Sequence, residues 1–273
     1  MSDAIMTVWN VDLGLSVHIK APNGRYIVVD LGSSAKTSPL SAISGQKIWY
    51  LVITHPHFDH FSDIGNIGGN EVLVLNRCKD YTREELMMGV DDNKKEIFKK
   101  YCDFVEGYGG PVKQELDPRK PFVFCGLTVE IFRPQGCDKR NINNHSAVTV
   151  VKYANKKIVI CGDNEAESFS NLMDKREFRD AVKSSDILVA AHHGRESGYD
   201  RNFVELVSPK LTIISDKSSE TTAIDRYTKN STGLNVRDIK TGSIDYRKCL
   251  TTRFDGNIQV VFSGFELSVT RHC

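Results

Sequence analysis

The sequence predicts a mixed α/β protein, and three observations lead to this prediction. Short runs rich in β-branched and aromatic residues recur along the whole chain. Turn-forming sequences, such as Pro-Asn-Gly at residues 22–24 and Asp-Gly-Asn at residues 255–257, fall between some of these runs. Two longer stretches, residues 82–105 and 166–182, carry apolar side chains at helical spacing. Strands and helices are therefore expected to interleave in one chain.

Each predicted strand is a short apolar run bounded by polar or turn-forming residues. In chain order the predicted strands are residues 8–13, 15–20, 26–30, 48–54, 72–75, 127–132, 147–153, 157–161, 187–191, 211–215 and 258–262. The two helical stretches lie after the fifth and the eighth of them. No internal repeat or flexible linker divides the chain.

Length and composition favour one folded domain. The chain has 273 residues, of which 40% are hydrophobic and 26% charged, and this composition excludes disordered, collagen-like and coiled-coil proteins. The longest apolar runs are far shorter than the roughly 20 residues that span a bilayer, and the first residues do not have the pattern of a secretory signal. We therefore expect a single cytoplasmic domain over residues 1–273, with a helical insertion at about residues 80–120 and no contact with membranes.

Charge is balanced overall but uneven along the chain. The 36 basic and 35 acidic residues give a formal net charge of +1. Residues 225–253 hold seven basic and three acidic residues, a local net charge of +4. A run of mixed sign is typical of a solvated surface. The alternative is a rim that binds phosphate groups, which Lys and Arg contact in nucleic acids.

The clearest chemical signal is the sequence His-Pro-His-Phe-Asp-His at residues 55–60, directly after the predicted strand 48–54. Three imidazoles and a carboxylate crowded at a strand end would repel one another or lose their hydrogen bonds, unless a cation collects them. Alternate residues of an extended segment share a side, so His55 and His57 can face one ion while Asp59 and His60 reach another. The alternative is a surface patch of histidines.

Two further predicted strands end in residues that bind metals. Strand 157–161 continues into Asp163, and strand 187–191 continues into His192 and His193. The carboxyl ends of strands in one sheet converge on a common edge, where α/β proteins build their sites. Asp163 can bridge two cations there, and it also suits the N-cap of the helix predicted at residues 166–182. His192 taken alone also fits an ordinary packed histidine.

Residues 143–146 precede a strand instead of following one. An antiparallel course of strand 147–153 would bring His145 to the same edge, although a loop histidine fits equally well. Asn143, Asn144 and Ser146 indicate a turn first and a substrate-binding segment second.

Asp30 is the remaining acidic candidate, since it is the last residue of the predicted strand at residues 26–30. A carboxylate at this edge can accept the second N–H of a ligating histidine and fix its tautomer. An Asx turn followed by Gly32 is the alternative.

Taken in their order along the chain, these motifs resemble those of the metallo-β-lactamase-fold hydrolases. The segments that carry the resemblance are residues 55–60, Gly-Asp at 162–163 and Ala-His-His-Gly at 191–194. Within that group the chain is most similar to the hydrolase domain of the ComEC family of DNA-uptake proteins. That similarity rests on Trp-Asn-Val-Asp-Leu-Gly at 9–14, Asn-Asn-His-Ser at 143–146 and Thr-x-x-x-Gly-x-Ile at 252–258. The family usually has Gly-Ser after the paired histidines. This chain keeps the glycine, Gly194, but has Arg195 in place of the serine.

The resemblance implies a four-layer αββα sandwich, in which two mixed sheets pack face to face with helices outside and a dinuclear metal site on one edge. It implies ligands for a first ion, which are His55, His57 and His145, and ligands for a second, which are Asp59, His60 and His192. Asp163 would bridge the two ions. His193 would then support the ligands without binding an ion, or protonate the leaving group. The sequence does not decide whether His192 or His193 is the ligand.

Two divalent ions held by imidazole and carboxylate would make hydrolysis the natural reaction, because they activate water and polarise the bond that breaks. Nitrogen and oxygen ligands favour Zn²⁺, and carboxylates also accept Mn²⁺. The resemblance favours a phosphodiesterase or nuclease acting on DNA or RNA. A narrower form of this hypothesis is a stand-alone effector in defence against foreign nucleic acid that works with a partner protein encoded elsewhere. A cyclic-nucleotide phosphodiesterase is a variant of this hypothesis. Arg195 is a candidate for phosphate contact.

Two other functions stay open at this point. The first is a carbonyl-group hydrolase, such as a lactonase, a thioesterase or a β-lactamase-like enzyme. An apolar, uncharged substrate pocket near Asn143, Arg195 and Ser197 would favour it. The second is a regulatory or binding module that keeps the metal motifs without catalysis.

Overall fold

The computed structural model describes residues 2–217, 219, 221–264 and 266–272. Their strands, in chain order, are β1 (Ala4–Val8), β2 (Val17–Lys20), β3 (Tyr26–Val29), β4 (Ile48–Ile53), β5 (Leu75–Arg77), β6 (Thr128–Phe132), β7 (Val148–Tyr153), β8 (Lys156–Ile160), β9 (Ile187–Val189), β10 (Leu211–Ile214), β11 (Leu234–Asp238), β12 (Ile244–Arg247), β13 (Cys249–Thr251), β14 (Asn257–Phe262) and β15 (Leu267–His272). Their α-helices are α1 (Pro39–Ala42), α2 (Arg83–Met87), α3 (Asp92–Glu106), α4 (Ala166–Met173), α5 (Arg176–Val182), α6 (Arg201–Val207), α7 (Ile224–Asn230) and α8 (Thr252–Asp255). None of these helices is both long enough and apolar enough to cross a bilayer.

The strands form two mixed sheets within the described residues. One sheet has the order β12-β11-β15-β14-β1-β2-β3-β4-β5, and the other has the order β13-β10-β9-β8-β7-β6. In the first sheet β4 runs parallel to both β3 and β5. In the second, β8, β9 and β10 run parallel to one another. The histidine and aspartate motifs therefore follow β4 of the first sheet and β8 and β9 of the second. Each of these strands has a neighbour on both sides and runs parallel to at least one of them.

The core lies between the two sheets because the strands alternate apolar side chains toward it. Strands β1 and β14 show buried and half-buried residues in strict alternation. Met6, Ile19 and Val260 from the first sheet meet Val129 and Ile158 from the second, and all five are fully buried. Burying side chains of this size stabilises the fold by about 1.5–3 kcal/mol each before the entropy of ordering is counted.

Helices cover the outer face of each sheet. Phe169, Phe178 and Phe203, from α4, α5 and α6, pack on the second sheet. Leu40 of α1 and Tyr101 of α3 pack on the first. Two mixed sheets with helices outside make four layers, so the predicted αββα architecture is confirmed.

Both long predicted helices are divided in the structure. Residues 166–182 form α4 and α5, with Lys175 in an extended conformation between them. Phe169 and Phe178 are nine residues apart, and a continuous helix turning about 100° per residue would place them on opposite faces. The break lets both rings stack near Phe203, at centroid distances of 4.3 and 6.0 Å. Residues 82–105 form α2 and α3, separated by a turn at Gly89, which has a φ of +70°.

Two predicted strands are shifted, and one segment contains elements that were not predicted. The first strand covers Ala4–Val8 instead of residues 8–13, because Asp12 takes a φ of 59° in a turn that the Trp9 N–H closes onto the Ser16 carbonyl. Strand β5 begins at Leu75, where the predicted strand 72–75 ends. The basic segment 225–253 adds α7 and the β11–β12 hairpin, which forms one edge of the first sheet.

Candidate metal centre

The functional candidates converge where the parallel strands end. Strand β4 runs into Thr54 and His55, and a short 3-10 helix at Phe58–His60 then presents Asp59 and His60. Strand β8 leads to Asp163, and β9 leads to a second 3-10 segment at Ala191–Gly194. Side chains that are far apart in sequence thereby meet at one edge.

A first group of ligand atoms is formed by His55, His60 and Asp163, which lie within 4.8 Å of one another. Nε2 of His60 is 3.2 Å from Oδ1 of Asp163, and Nε2 of His55 is 3.8 Å from Oδ2. Nδ1 of His57 lies 2.9 Å from Nε2 of His55. The histidine motif and the aspartate after β8 therefore share one buried space.

A second group is formed by Asp59, His60 and His193. Nε2 of His193 lies 3.3 Å from Oδ2 of Asp59 and 3.3 Å from Oδ2 of Asp163. Nε2 of His60 lies 4.0 Å from the Asp59 carboxylate. Asp163 contacts members of both groups, which is the position a bridging carboxylate needs.

Unusual backbone conformations make this convergence possible. Gly162 has a φ of +56°, and a Cβ added to it would lie 2.9 Å from Cβ of Thr54 and 3.0 Å from Cβ of Ser146. His192 and His193 also have positive φ values, 48° and 54°. Side-chain-bearing residues in this region cost about 1–3 kcal/mol each and persist where the surrounding structure enforces them.

Hydrogen bonds fix the orientation of two of the histidines. Nδ1 of His60 donates to Oδ2 of Asp30 at 2.7 Å, and the same carboxylate accepts the N–H and the hydroxyl of Thr54, both at 2.7 Å. Nδ1 of His193 donates to the carbonyl oxygen of Ser215 at 3.1 Å. With Nδ1 occupied in each ring, Nε2 faces the carboxylates of the centre.

Burial and charge divide the histidines of the centre into two kinds. Burial and the neighbouring charge of His60 lower the pKa of His55 well below its usual value, and burial also lowers the pKa of His57. Burial opposes protonation of His193 as well, but Asp163 and Asp59 raise its pKa to about 9. Asp163 and Asp30 likewise raise the pKa of His60 well above its usual value. His55 and His57 therefore keep free lone pairs at neutral pH.

The residues present fit divalent metal ions. Nε2 of His60 and Nε2 of His193 are buried and form no hydrogen bond within the described part of the chain, although each faces a carboxylate. Buried nitrogens and carboxylates crowded together without well-aligned hydrogen bonds are costly unless a cation lies between them. The donor set of imidazole nitrogens and carboxylate oxygens is one that Zn²⁺ and similar ions prefer.

His192 lies beside the centre, outside both groups. Its Nδ1 is 2.9 Å from Oε1 of Glu165 and 2.8 Å from Oγ of Ser197. Its Nε2 faces Nη1 of Arg195 at 3.4 Å and Nδ2 of Asn143 at 3.5 Å. The placement thus differs from the ligand role expected for His192, because its neighbour His193 occupies the second group.

Three of the residues around position 145 also differ from expectation. His145 groups with Cys78 and Asp80 instead of with His55, and its Nδ1 lies 2.6 Å from Oδ2 of Asp80. Ser146 is fully buried, and its hydroxyl accepts the N–H of Asp163 at 3.0 Å. Asn144 is buried against the start of α4, where it contacts the Glu165 N–H. The side chains of Asn144 and Ser146 are both buried and closed to a substrate, so their role is to hold Glu165 and Asp163 in place.

The sequence prediction missed two residues that shape the site. Glu165 contacts His192 and the Asn143 amide, and it lies only two positions after Asp163, in the same loop. The half-buried Arg133 donates to the carbonyl oxygens of Thr54 and His145, which ties the two sheets together at this edge. Its position directly after β6 was the available signal, since other site residues also follow strands.

Comparison with known proteins adds family evidence. A model of the metallo-β-lactamase superfamily matches residues 9–215. A UPF0173 metal-dependent hydrolase of Aeropyrum pernix is 34% identical over 93 residues, which cover 33% of this chain and 38% of that protein. Competence protein ComA of Neisseria gonorrhoeae is 24% identical over 226 residues, which cover 78% of this chain and 27% of that protein. The chain thus spans less than two fifths of the length of the curated relatives it matches.

Solved structures show the same fold at low identity. The metallo-β-lactamase fold protein YhfI from Bacillus subtilis has 11% identity and a TM-score of 0.52, over 96% of this chain and all of that one. A mutant of the CmlA β-hydroxylase has 12% identity and a TM-score of 0.54, over 95% of this chain and 53% of that one. The family model covers well over half of the residues, and the architecture agrees with it. The chain therefore belongs to the metallo-β-lactamase superfamily.

Proposed function

We propose that this protein is a metal-dependent hydrolase that cleaves phosphodiester bonds in nucleic acids or nucleotides. The observation that carries the proposal is the position of Asp163, whose carboxylate lies between two groups of histidine and aspartate side chains. The name of the relative from Aeropyrum pernix, a metal-dependent hydrolase, supports the general reaction type.

The chain offers ligands for two divalent ions. His55, His57 and Asp163 would hold one ion, and Asp59, His60, His193 and Asp163 would hold the other. When bound, such ions supply Lewis acidity and a water nucleophile that is active near neutral pH. Asp30 and the Ser215 carbonyl would keep the rings of His60 and His193 aimed at the ions.

The residues beside the centre favour an anionic substrate. Arg195 and Asn143 point N–H groups at the same nitrogen of His192, so the three side chains form one polar edge. Glu165 and Ser197 hold the other ring nitrogen of His192 and fix its orientation. A guanidinium and an amide at the rim suit the non-bridging oxygens of a phosphodiester, to which Arg binds in a planar, bidentate manner.

The basic segment 225–253 contributes less to this proposal than its charge indicates. Arg226 pairs with Glu196 at 2.6 Å, and Arg247 pairs with Asp255 at 3.4 Å. Arg253 lies 3.0 Å from the buried carboxylate of Asp216. Cations engaged with carboxylates of their own chain bind phosphates less strongly. The edge at Arg195 lies directly beside the metal centre, and its position makes it the better candidate for phosphate contact.

A cavity next to the histidine motif supplies a place for the rest of the substrate. It has a volume of about 370 Å³ and lies between residues 56–59 and the region of α2 and α3. Phe58, Leu86 and Phe98 give it apolar walls, and Lys94 lies 5.1 Å from the centre of the Phe58 ring. Apolar walls of this kind fit a base or sugar that follows a phosphate.

A carbonyl-group hydrolase is the second candidate, and the apolar walls of this cavity are the observation that favours it. Lactones and thioesters carry apolar chains that such walls accommodate. Glu85, Asp91 and Lys94 also line the cavity, so it is not free of charge. This mixture, together with the Arg195 edge, leads us to place the phosphodiester first.

The test is hydrolysis by metal-loaded protein of bis(p-nitrophenyl) phosphate, single- and double-stranded DNA, RNA, a cyclic nucleotide, a lactone and a thioester. Asp163→Asn removes the shared carboxylate charge at constant size. Asp92→Asn is the matched control, because Asp92 lies on α3 with a side chain that is 95% exposed. We expect phosphodiester cleavage that Asp163→Asn abolishes and Asp92→Asn leaves unchanged. Cleavage of the lactone or thioester alone would replace the proposal with the second candidate.

A further inference from the structure

A third group of possible ligands lies beside the metal centre and belongs to neither of its two groups. It consists of Cys78, Asp80 and His145, whose ligand atoms lie within 4.8 Å of one another. Cys78 follows β5, the parallel neighbour of β4, while His145 comes directly before the segment that enters β7. The group therefore lies at the same edge of the fold but is built from different loops.

The donor atoms of Cys78, Asp80 and His145 lie close to one another. Oδ2 of Asp80 lies 2.6 Å from Nδ1 of His145 and 3.6 Å from Sγ of Cys78. On the far side of the imidazole ring, Nε2 of His145 lies 3.4 Å from the carbonyl oxygen of Asp138. An N–H that donates to a backbone carbonyl leaves the other nitrogen with its lone pair, as in histidines that bind metals.

Burial and access also suit an ion. Cys78 and His145 are 6% and 5% exposed, whereas Asp80 is half-exposed. Asp80 and His145 line a cavity of about 390 Å³ together with Gly136, Cys137 and Lys139. An ion could enter through this cavity, which has room for water as a fourth ligand.

An ion pair between Asp80 and His145 is the simpler interpretation, and in it the Cys78 thiol only donates a weak hydrogen bond to Asp80. A histidine and an aspartate need no third partner to form a salt bridge. Here a buried cysteine directs its sulfur to the same carboxylate oxygen, which completes a sulfur, nitrogen and oxygen donor set. Mixed sets of this kind are typical of zinc sites, in which the cysteine binds as a thiolate.

We propose that Cys78, Asp80 and His145 form a separate site for one borderline-soft divalent cation such as Zn²⁺. An ion there would tie residues 78–80, which lead into α2, to the segment at residues 134–145, which carries Asn143. It would thereby stabilise the wall of the substrate cavity and the polar edge of the centre. The proposal does not depend on what the protein hydrolyses.

Cobalt substitution tests the proposal with a signal that the dinuclear centre cannot give. A thiolate bound to Co²⁺ produces a strong near-ultraviolet charge-transfer band, and the two groups around Asp163 contain no cysteine. We expect the band in cobalt-loaded wild-type protein and in the Asp59→Ala/His60→Ala variant. Cys78→Ser should abolish it and reduce bound metal by one equivalent. Cys137→Ser, which alters a thiol in the same cavity, should keep the band.

The absence of the band in wild-type protein would overturn the proposal, and so would its persistence in Cys78→Ser. Since Cys78 is buried, Asp80→Asn provides a second variant at a half-exposed position, where the substitution leaves the core unchanged. We expect Asp80→Asn to weaken cobalt binding at the thiolate site by at least tenfold. An unchanged cobalt titration of the band in that variant would also contradict the proposal. If the wild-type protein shows the band but hydrolyses none of the substrates, that result would count against the proposed function alone.

Discussion

Nε2 of His193 lies 3.3 Å from Oδ2 of Asp163, whereas the preceding residue, His192, directs its ring to Glu165 and Ser197. Both histidines have left-handed backbone conformations, so the chain turns sharply between β9 and Gly194. Two adjacent imidazoles are thereby assigned different surroundings. One faces the carboxylates of the centre, and the other faces its polar rim.

This difference predicts opposite effects of two matched substitutions. His193→Gln should lower metal affinity by more than about 100-fold, since loss of a ligand exceeds the roughly 10–100-fold cost of losing an outer partner. His192→Gln should leave metal content unchanged and reduce hydrolysis, because it disturbs the edge formed by Arg195 and Asn143. Metal titration of both variants checks the prediction. Equal metal loss in the two would contradict the roles given to these residues.

Asp30 should tune the centre without touching an ion. Its carboxylate accepts the Nδ1–H of His60 and two hydrogen bonds from Thr54. Asp30→Asn should reduce metal affinity by about 10–100-fold, because the amide is a weaker acceptor and holds the ring less firmly. Isothermal titration with Zn²⁺ measures this effect, with Asp92→Asn as the exposed control. Unchanged affinity in Asp30→Asn would show that the orientation of His60 depends on other contacts.

Gly162 should tolerate no side chain. An added Cβ would meet Thr54 and Ser146 at 3.0 Å or less, and φ is +56°. Gly24 is the matched control, because its φ is +79° and an added Cβ would meet no atom within 4 Å. Gly24→Ala should lower the free energy of unfolding by about 1–2 kcal/mol through backbone strain alone. Gly162→Ala should cost about 1–3 kcal/mol more, the usual penalty of overpacking.

Denaturant unfolding of the two alanine variants checks this difference. An equal loss of stability in Gly24→Ala and Gly162→Ala would mean that strain alone is at work and that Thr54 and Ser146 can move aside.

His18 should make stability depend on pH. It lies in β2, 3% exposed, and burial lowers its pKa to about 3. Since the unfolded chain has a histidine pKa of about 6.5, His18 binds fewer protons in the folded state at mildly acidic pH. Its contribution to stability is therefore complete above pH 6.5 and is lost as the pH falls toward 3, at up to about 1.4 kcal/mol per pH unit.

Comparison with His18→Leu isolates this contribution. Between pH 7 and pH 5 the wild-type protein should lose about 2 kcal/mol more unfolding free energy than the variant does. Chemical denaturation at the two pH values measures the difference. Parallel losses in the two proteins would show that His18 does not resist protonation.

The mixed α/β class and the main motif could be predicted because their signals are local, whereas the four-layer sandwich was implied by the resemblance to a known family. The His-x-His-x-Asp-His segment follows a strand directly, and its neighbours in sequence remain neighbours in the site. The division of residues 166–182 into two helices could not be predicted in this way, because it depends on Phe203 stacking with both Phe169 and Phe178. The prediction treated helical spacing alone, and spacing does not reveal which distant ring the helix must meet.

The remaining differences in the site have the same physical origin. His192 and His193 have the same chemistry, and only the left-handed turn decides which ring faces Asp163. His145 contacts Asp80, which is 65 positions away in the chain. Contacts over such separations follow from how the two sheets pack, and the residues that make them have no common sequence pattern.

In the function proposed above, Asp163 joins two metal-binding groups into one hydrolytic centre. Metal content per chain, measured on wild-type protein and Asp163→Asn together with cleavage of bis(p-nitrophenyl) phosphate, tests it most directly. We expect the wild-type protein to bind two more equivalents of divalent metal than the variant and to cleave the phosphodiester, while the variant does not. Equal metal content in the two proteins, or a folded wild-type chain that binds no metal, would contradict it.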